Sequence, residues 1–198
     1  MSASLALLKR PPFILASASP RRRDLLAEHD YEFRVEPADV IEVAPPHFSP
    51  GETVLYNARL KASALASKYP GNLVVGVDTL VAFEGRIFGK PADMPEAERM
   101  LSELNGRAHA VFSGVSLIRR SSGQERAFIE VTQVRFRVLS AEGRRAYLQR
   151  IGPLDKAGAY AAQDDNGEII ESVEGSFSNV VGLPMETFGR VIREFYNE

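Results

Sequence analysis

The sequence predicts a mixed α/β fold built around one sheet that is flanked by helices. Short apolar runs, typical of buried strands, alternate with segments whose apolar residues recur at helical spacing. Two long strand-like segments also follow each other in the second half of the chain, which favours a sheet with antiparallel strands over a purely doubly wound one. With 198 residues the chain can bury one core without disulfides.

The first half opens with a strand, a tight turn and a helix. Residues 13–16 form a short apolar run, and Ser19 then has the position of a helix N-cap. A second helix begins at Ser49, which has capping-box spacing with Glu52, and its apolar stripe should end near Tyr69.

A buried strand is predicted next, over residues 73–77. It should deliver Asp78 and Thr79 at its carboxyl end, where α/β proteins bind ligands. Residues 80–83 and 86–88 then suggest a separate hairpin.

The second half contains the two long strands. A helix that begins near Asp93 should end at Asn105, and strands follow near 108–118 and 126–139, joined at 121–123. In the second strand apolar and basic residues alternate, so the basic face should be wet or line a cleft and the apolar face should be buried: Val134, Phe136 and Val138 against Arg135 and Arg137. The remaining elements are a helix from Ser140 to about residue 150, a loop at 153–160, a strand near 169–173, a small-residue loop at 175–179 and a C-terminal helix.

Composition excludes several classes of protein. The formal net charge is −2 with both signs interspersed, so the field that holds a nucleic acid is missing. No apolar run is long enough to span a bilayer, and the absence of cysteine excludes thiolate chemistry. Lys9 and Arg10 follow the first apolar patch, which reverses the order of a signal peptide. We expect a cytoplasmic protein with a loose extension over residues 1–12 and a single domain over 13–198, without a nucleic-acid or membrane partner.

The turn and helix after the first strand are a candidate phosphate site. A helix N-terminus presents backbone N–H groups and a partial positive charge, and Ser17, Ser19, Arg21 and Arg22 lie there. The alternative, in which Ser19 only caps the helix and the arginines are solvated, has equal support from these residues alone. Neither a P-loop nor a dinucleotide-binding glycine motif is present.

Asp78 is the second candidate, because it follows an apolar strand directly. A strand-end Asp is more often a turn former or an N-cap, and Lys61 and Lys90 alone would be surface lysines. The three histidines have no metal-ligand spacing.

Six segments together resemble, in order and spacing, the motifs of the Maf family: residues 15–22, 57–62, 76–81, 89–91, 155–160 and 179–184. The resemblance implies a Maf/Ham1-like fold of two lobes with a central cleft. It implies hydrolysis of nucleoside triphosphates at the α–β phosphate bond, giving a monophosphate and pyrophosphate. It also implies a divalent cation, Mg²⁺ or Mn²⁺, a homodimer, and nucleotide-pool housecleaning linked in bacteria to septum formation.

The resemblance assigns roles to individual residues. Asp78, Lys61 and Lys90 match the family's catalytic positions, and Glu42 joins Asp78 as a metal ligand. The substrate-binding positions are Ser17, Ser19, Arg21, Arg22, Thr79 and Gln163.

Three of these positions differ between branches of the family. Arg21, Thr79 and Gln163 resemble the branch that acts on dTTP and UTP, whereas the branch that acts on 7-methyl-GTP has an aromatic residue, a glutamine and a glutamate there. The loop at 162–167 departs from the family by being more acidic, and Val77 replaces the usual alanine.

The expected mechanism is attack of water on the α phosphorus. A carboxylate alone is a poor base toward water, whose pKa is near 16, so a metal ion should acidify the attacking molecule. Whether Asp78 binds the metal, takes the proton or does both stays open. The rival functions are a 7-methyl-GTP pyrophosphatase, a non-catalytic nucleotide-sensing division regulator and, with little support, a nucleic-acid binder.

Overall fold

A computed structural model describes residues 11–197, so most of the expected N-terminal extension lies outside the described residues. The strands are β1 (Phe13–Leu15), β2 (Phe33–Val35), β3 (Val74–Phe83), β4 (Arg86–Phe88), β5 (Ala108–Arg119), β6 (Gln124–Phe136) and β7 (Ile170–Glu174). The helices are α1 (Pro20–Glu28), α2 (Pro50–Lys68), α3 (Met94–Leu104), α4 (Ala141–Ile151), α5 (Phe177–Val181) and α6 (Met185–Asn197).

The strands form one mixed sheet, as the sequence predicts. Within the described residues it has seven strands in the order β2-β1-β3-β5-β6-β7, and β4 pairs with β3. β1 is parallel to both β2 and β3, whereas β4 is antiparallel to β3 and β7 is antiparallel to β6. No helix within residues 11–197 is long and apolar enough to cross a membrane.

The chain divides into two compact units, which agrees with the two lobes that the resemblance implies. The first unit comprises the chain up to Asp78, Ser113–Glu130 and the chain from Gly182 onward. The second comprises Thr79–Phe112 and Val131–Val181.

In the first unit both faces of the central strands are buried. Successive side chains of a strand point to opposite faces, so odd- and even-numbered residues of β1 and β3 join different clusters. One cluster contains Phe13, Leu15, Val75 and Val77 and packs against α6. The other contains Ile14 and Val74 and packs against apolar residues of α2. This burial on both faces explains the near-continuous apolar runs in the sequence.

The second unit has an aromatic cluster with a buried histidine. His109 is 2% exposed, lies edge-on to the rings of Phe136 and Tyr160, and its Nε2 is 3.1 Å from the Tyr160 hydroxyl. Burial lowers the pKa of His109 to about 4 and raises that of Tyr160. Both side chains are therefore neutral at pH 7.

The start signals of three helices were predicted correctly. Ser49 and Glu52 form the reciprocal capping box, and the Ser140 hydroxyl accepts from the Gly143 amide at the start of α4. Asp93 likewise caps α3 by accepting from the amide of Glu96.

Three predictions about element ends were wrong. β3 does not stop before Asp78 but continues to Phe83, because the antiparallel pairing with β4 extends it. β6 ends at Phe136, so Val138 is 81% exposed rather than buried. The loop expected at 175–179 contains the start of the short helix α5.

Candidate active site

The site begins with an unusually close approach of α2 to the sheet. A Cβ at Gly76 of β3 would lie 2.1 Å from the carbonyl oxygen of Ala58, and one at Gly114 of β5 would lie 2.5 Å from the backbone of Val54. Glycine is required at both places because the obstructing atoms belong to the helix backbone. The face of α2 that carries polar residues is thereby brought onto the strand that contains Asp78.

Asp78 lies on the same face of β3 as Gly76 and is buried against Lys61 of α2. The Lys61 ammonium donates to Asp78 Oδ1 at 2.8 Å and to the Val77 carbonyl at 3.2 Å. Its third contact is Glu42 Oε1 at 2.7 Å. An ammonium group has three N–H donors, so these three acceptors saturate it. Lys61 therefore neutralises and orients carboxylates in this structure.

Glu42 completes a pair of carboxylates around one cation. Its side chain is 51% exposed, whereas those of Lys61 and Asp78 are each only 10% exposed. Residues 36–45 belong to no helix or strand, so local backbone structure does not fix Glu42.

The donor set at this place fits a hard divalent cation. Asp78 and Glu42 already hold one cation, the Lys61 ammonium, through carboxylate oxygens. Mg²⁺ is often bound by one or two carboxylates together with substrate phosphates and water. Within residues 11–197 no group of three or more His, Asp or Glu side chains is arranged to hold a metal. The protein therefore offers a cation two carboxylates here, those of Asp78 and Glu42.

Asn57 is a site residue that the sequence reasoning did not single out. Its carboxamide is 3% exposed and donates to Asp78 Oδ2 at 3.2 Å. It also makes two hydrogen bonds of 3.0 Å to the backbone of Val43, next to Glu42. The available signal was the position of Asn57 on the helix face of Lys61, one turn earlier and within the buried stripe.

Arg22 is a buried cation that joins three segments of the first unit. It donates to Ser17 Oγ at 2.8 Å, to the Val77 carbonyl at 3.2 Å and to the Gly182 carbonyl at 2.9 Å. Burial lowers the pKa of Arg22 to about 10 while the nearby Asp78 carboxylate opposes that shift, so the guanidinium stays charged at neutral pH. Its charge thus lies beside the Asp78 strand, and its role toward phosphates stays a prediction.

The N-terminus of α1 is as predicted in position but not in its capping. Ser19 is the N-cap, yet its side chain makes no capping hydrogen bond, while its backbone N–H donates to Ser17 Oγ at 3.3 Å. Arg21 follows in the first turn and is partly exposed. The alternative in which Ser19 serves only as a side-chain cap of α1 is therefore wrong.

The remaining predicted residues belong to the second unit. Thr79 is half-buried in β3, and Lys90 is exposed after β4. Gln163 is exposed on a short 3₁₀ turn, Ala162–Asp164. The structure thus brings Ser17, Arg22, Glu42, Lys61 and Asp78 together within the first unit, and the roles of the other residues stay predictions.

The loop that carries Gln163 is held from within by Asp165, one of the acidic residues that depart from the family pattern. Asp165 is buried, and its Oδ1 and Oδ2 accept from the amides of Ile169 at 2.7 Å and Ile170 at 3.1 Å. Arg150 donates to the Asp164 carbonyl at 3.2 Å and pairs with Glu168. The buried Asp165 carboxylate is therefore bound by two backbone amides, and these hydrogen bonds fix the shape of the loop.

Comparison with known proteins identifies the family. The model of the family "Maf-like protein" matches residues 12–195, so the chain belongs to this family. Three similar relatives are each named dTTP/UTP pyrophosphatase. The protein of Symbiobacterium thermophilum is 43% identical, over 92% of this chain and 93% of its own. That of Myxococcus xanthus is 46% identical over 87% and 86%, and that of Pelotomaculum thermopropionicum is 41% identical over 93% and 97%.

Among solved structures, a HAM1 protein from Coxiella burnetii aligns with a TM-score of 0.43 and 18% identity, covering 64% of this chain and 73% of that one.

Proposed function

We propose that this protein is a nucleoside triphosphate pyrophosphatase that hydrolyses dTTP and UTP between the α and β phosphates. The products are the nucleoside monophosphate and pyrophosphate. The observation that carries the proposal is the buried Asp78 carboxylate, held with Glu42 on one lysine cation. Support comes from relatives of that name that are 41% to 46% identical over most of the chain.

Asp78 orients the attacking water and accepts its proton. Each of its two oxygens accepts one hydrogen bond inside the protein, from Lys61 and from Asn57, and each keeps a second lone pair for a water or a cation. When bound by Asp78 and Glu42, Mg²⁺ or Mn²⁺ supplies acidification of the water and neutralisation of phosphate charge. Lys61 balances the charge of both carboxylates and holds them facing the same point.

The positive groups of the site contact the triphosphate. Arg22 supplies a buried fixed charge, and the start of α1 adds the partial positive charge of a helix N-terminus without a side-chain cap. Ser17 orients Arg22, since its hydroxyl accepts from that guanidinium. Ser19, Arg21 and Lys90 are the further groups that we assign to phosphates. Such contacts carry no information about the base.

The catalytic role of Asp78 is tested by Asp78→Asn, which preserves shape but removes the negative charge. We expect pyrophosphate release from dTTP to fall by more than about 100-fold, because the amide binds a cation weakly and cannot accept the proton. The matched control is Asp24→Asn, an exposed carboxylate paired with Arg23, which should keep wild-type turnover. Activity of Asp78→Asn within about tenfold of wild type, or 1.4 kcal/mol of barrier, would exclude this role.

The choice of base is tested at Gln163. Uracil and thymine present an N3–H donor beside carbonyl acceptors, which one carboxamide can satisfy, and Thr79 and Arg21 add to the selection. We expect Gln163→Glu to lower kcat/KM for dTTP and UTP by about 5-fold to 150-fold, the effect of one unpaired polar group. The measurement compares dTTP, UTP, CTP, GTP and 7-methyl-GTP. A wild type that prefers 7-methyl-GTP would contradict the substrate assignment.

The cellular setting follows from the substrate. We place the enzyme in the cytoplasm, where nucleoside triphosphates are held. We also expect a homodimer, and light scattering would measure its mass. A link to septum formation is tested by cell length after deletion of the gene. Complementation by wild type but not by Asp78→Asn would connect that phenotype to hydrolysis rather than to nucleotide sensing.

A further inference from the structure

The carboxamide of Asn57 makes three hydrogen bonds, all to residues outside α2. Oδ1 accepts from the Val43 N–H at 3.0 Å, and Nδ2 donates to the Val43 carbonyl at 3.0 Å and to Asp78 Oδ2 at 3.2 Å. Both N–H donors of the amide are therefore used. The partners lie 14 and 21 residues away in the sequence, so no local turn explains them.

The orientation of this amide is determined by its neighbours. Rotating the group by 180° would place its N–H₂ against the Val43 N–H and its oxygen against the Asp78 carboxylate, which leaves donors facing donors and acceptors facing acceptors. Only one orientation satisfies all three partners. Asn57 thus bonds the Val43 peptide through both its N–H and its C=O, as a neighbouring strand would.

Val43 directly follows Glu42, in a segment that belongs to no helix or strand. The two hydrogen bonds between Asn57 and Val43 therefore fix the backbone beside Glu42. The third hydrogen bond of Asn57 fixes Oδ2 of Asp78. One turn along α2, Lys61 holds the other oxygen of Asp78 and the carboxylate of Glu42. The two side chains hold the same pair of carboxylates from adjacent turns.

We propose that Asn57 is a positioning residue that keeps the carboxylates of Glu42 and Asp78 directed at a common cation. Asn57 is neutral, so it orients both groups without competing for the cation. The effect on turnover rests on the proposed function, whereas the effect on cation binding does not. Residues that orient metal ligands typically contribute about 10-fold to 100-fold to metal affinity or activity.

Thr53 offers a matched control on the same helix face. It lies one turn before Asn57, is 2% exposed, and its hydroxyl donates to the Ser49 carbonyl at 3.0 Å. Truncating Thr53 thus removes a buried polar group from α2 without touching either carboxylate.

The experiment compares Asn57→Ala, Asn57→Asp and Thr53→Ala. We measure kcat and KM for dTTP at saturating metal, the Kd of Mn²⁺ alone by electron paramagnetic resonance, and hydrogen exchange of the Val43 amide. In Asn57→Ala we expect kcat to fall and the Mn²⁺ Kd to rise by about 10-fold or more, with KM changed less than about threefold. The Val43 amide should exchange at least about tenfold faster. Thr53→Ala should keep kcat, Mn²⁺ Kd and Val43 exchange within about twofold of wild type.

Asn57→Asp keeps the shape and the acceptor for the Val43 N–H but loses both donors and repels Asp78. Its kcat should also fall by about tenfold or more. Because this variant leaves no cavity, such a fall would be caused by the lost N–H donors and not by lost packing. Wild-type kcat in Asn57→Asp, or an unchanged Mn²⁺ Kd in Asn57→Ala, would overturn the proposal. So would equal losses in Thr53→Ala. If the wild type released no pyrophosphate from any nucleotide, the proposed function would fail, and the Mn²⁺ and exchange measurements would still decide the role of Asn57.

Discussion

Gly76→Ala should damage both the stability and the active site, because it forces α2 away from β3. The added Cβ would lie 2.1 Å from the Ala58 carbonyl oxygen and 2.8 Å from the Ala62 nitrogen, where real Cβ atoms keep at least 3.0 Å. The helix and strand must therefore separate by about 0.9 Å, and no rotamer change can relieve contacts with backbone atoms.

The expected magnitude follows from the cost of overpacking. Inserting a methyl group into a packed interior destabilises by about 1 to 3 kcal/mol, and contacts with two backbone atoms favour the upper part of that range. For a chain of this size each kcal/mol lowers Tm by about 2 to 4 °C. The same movement carries Asn57 and Lys61 away from Asp78, whose hydrogen bonds of 3.2 and 2.8 Å have little room to lengthen. We therefore expect kcat to fall by about 10-fold or more.

The assay combines urea unfolding with pyrophosphate release. Gly71→Ala is the matched control, because a Cβ there has no neighbour within 4 Å. It should leave stability within about 0.5 kcal/mol and turnover unchanged. A Gly76→Ala protein with the stability and kcat of the control would refute the argument that this glycine sets the distance between α2 and Asp78.

Two further predictions concern the second unit. His109 stays neutral in the folded state until the pH approaches about 4, whereas the unfolded chain takes up a proton near 6.5. His109 therefore lowers the free energy of unfolding only below pH 6.5. The loss grows as the pH falls toward 4 and reaches about 3 kcal/mol in all. Urea unfolding at pH 7, 5.5 and 4.5 should show this slope, and His109→Phe should flatten it; an equal slope in both proteins would assign it to other groups. Asp165→Asn leaves the amide of Ile169 or Ile170 without an acceptor, which costs about 1 to 3 kcal/mol. Thermal unfolding should show this loss, and KM for UTP should rise more than kcat falls; an unchanged KM would show that the loop does not position Gln163.

The sequence alone predicted the features that depend on residues near each other in the chain. The capping box of Ser49 and Glu52 forms within one helical turn, so its spacing is visible in the sequence. The buried strands and the helical stripes follow from side-chain periodicity, which the backbone geometry imposes everywhere. The resemblance to the Maf family pointed to Asp78, Lys61 and Glu42, and in the structure Lys61 contacts both carboxylates.

Only the tertiary structure decided where elements end and which polar groups meet. Asp78 follows an apolar run and was predicted to lie at the end of a strand, yet β3 continues through it to the pairing with β4. Lys61 and Asn57 satisfy its buried carboxylate. Val138 continued the alternation of β6, but the strand ends at Phe136.

Asn57 was missed for the same physical reason. Its three hydrogen bonds join residues 14 and 21 positions away, and they exist because two glycines on neighbouring strands let α2 approach the sheet. A sequence pattern records spacing along the chain, whereas the distance between a helix and a sheet is set by the packing of many residues at once. The sequence thus determined which groups could carry the chemistry, and the packing of α2 on Gly76 decided how they are held.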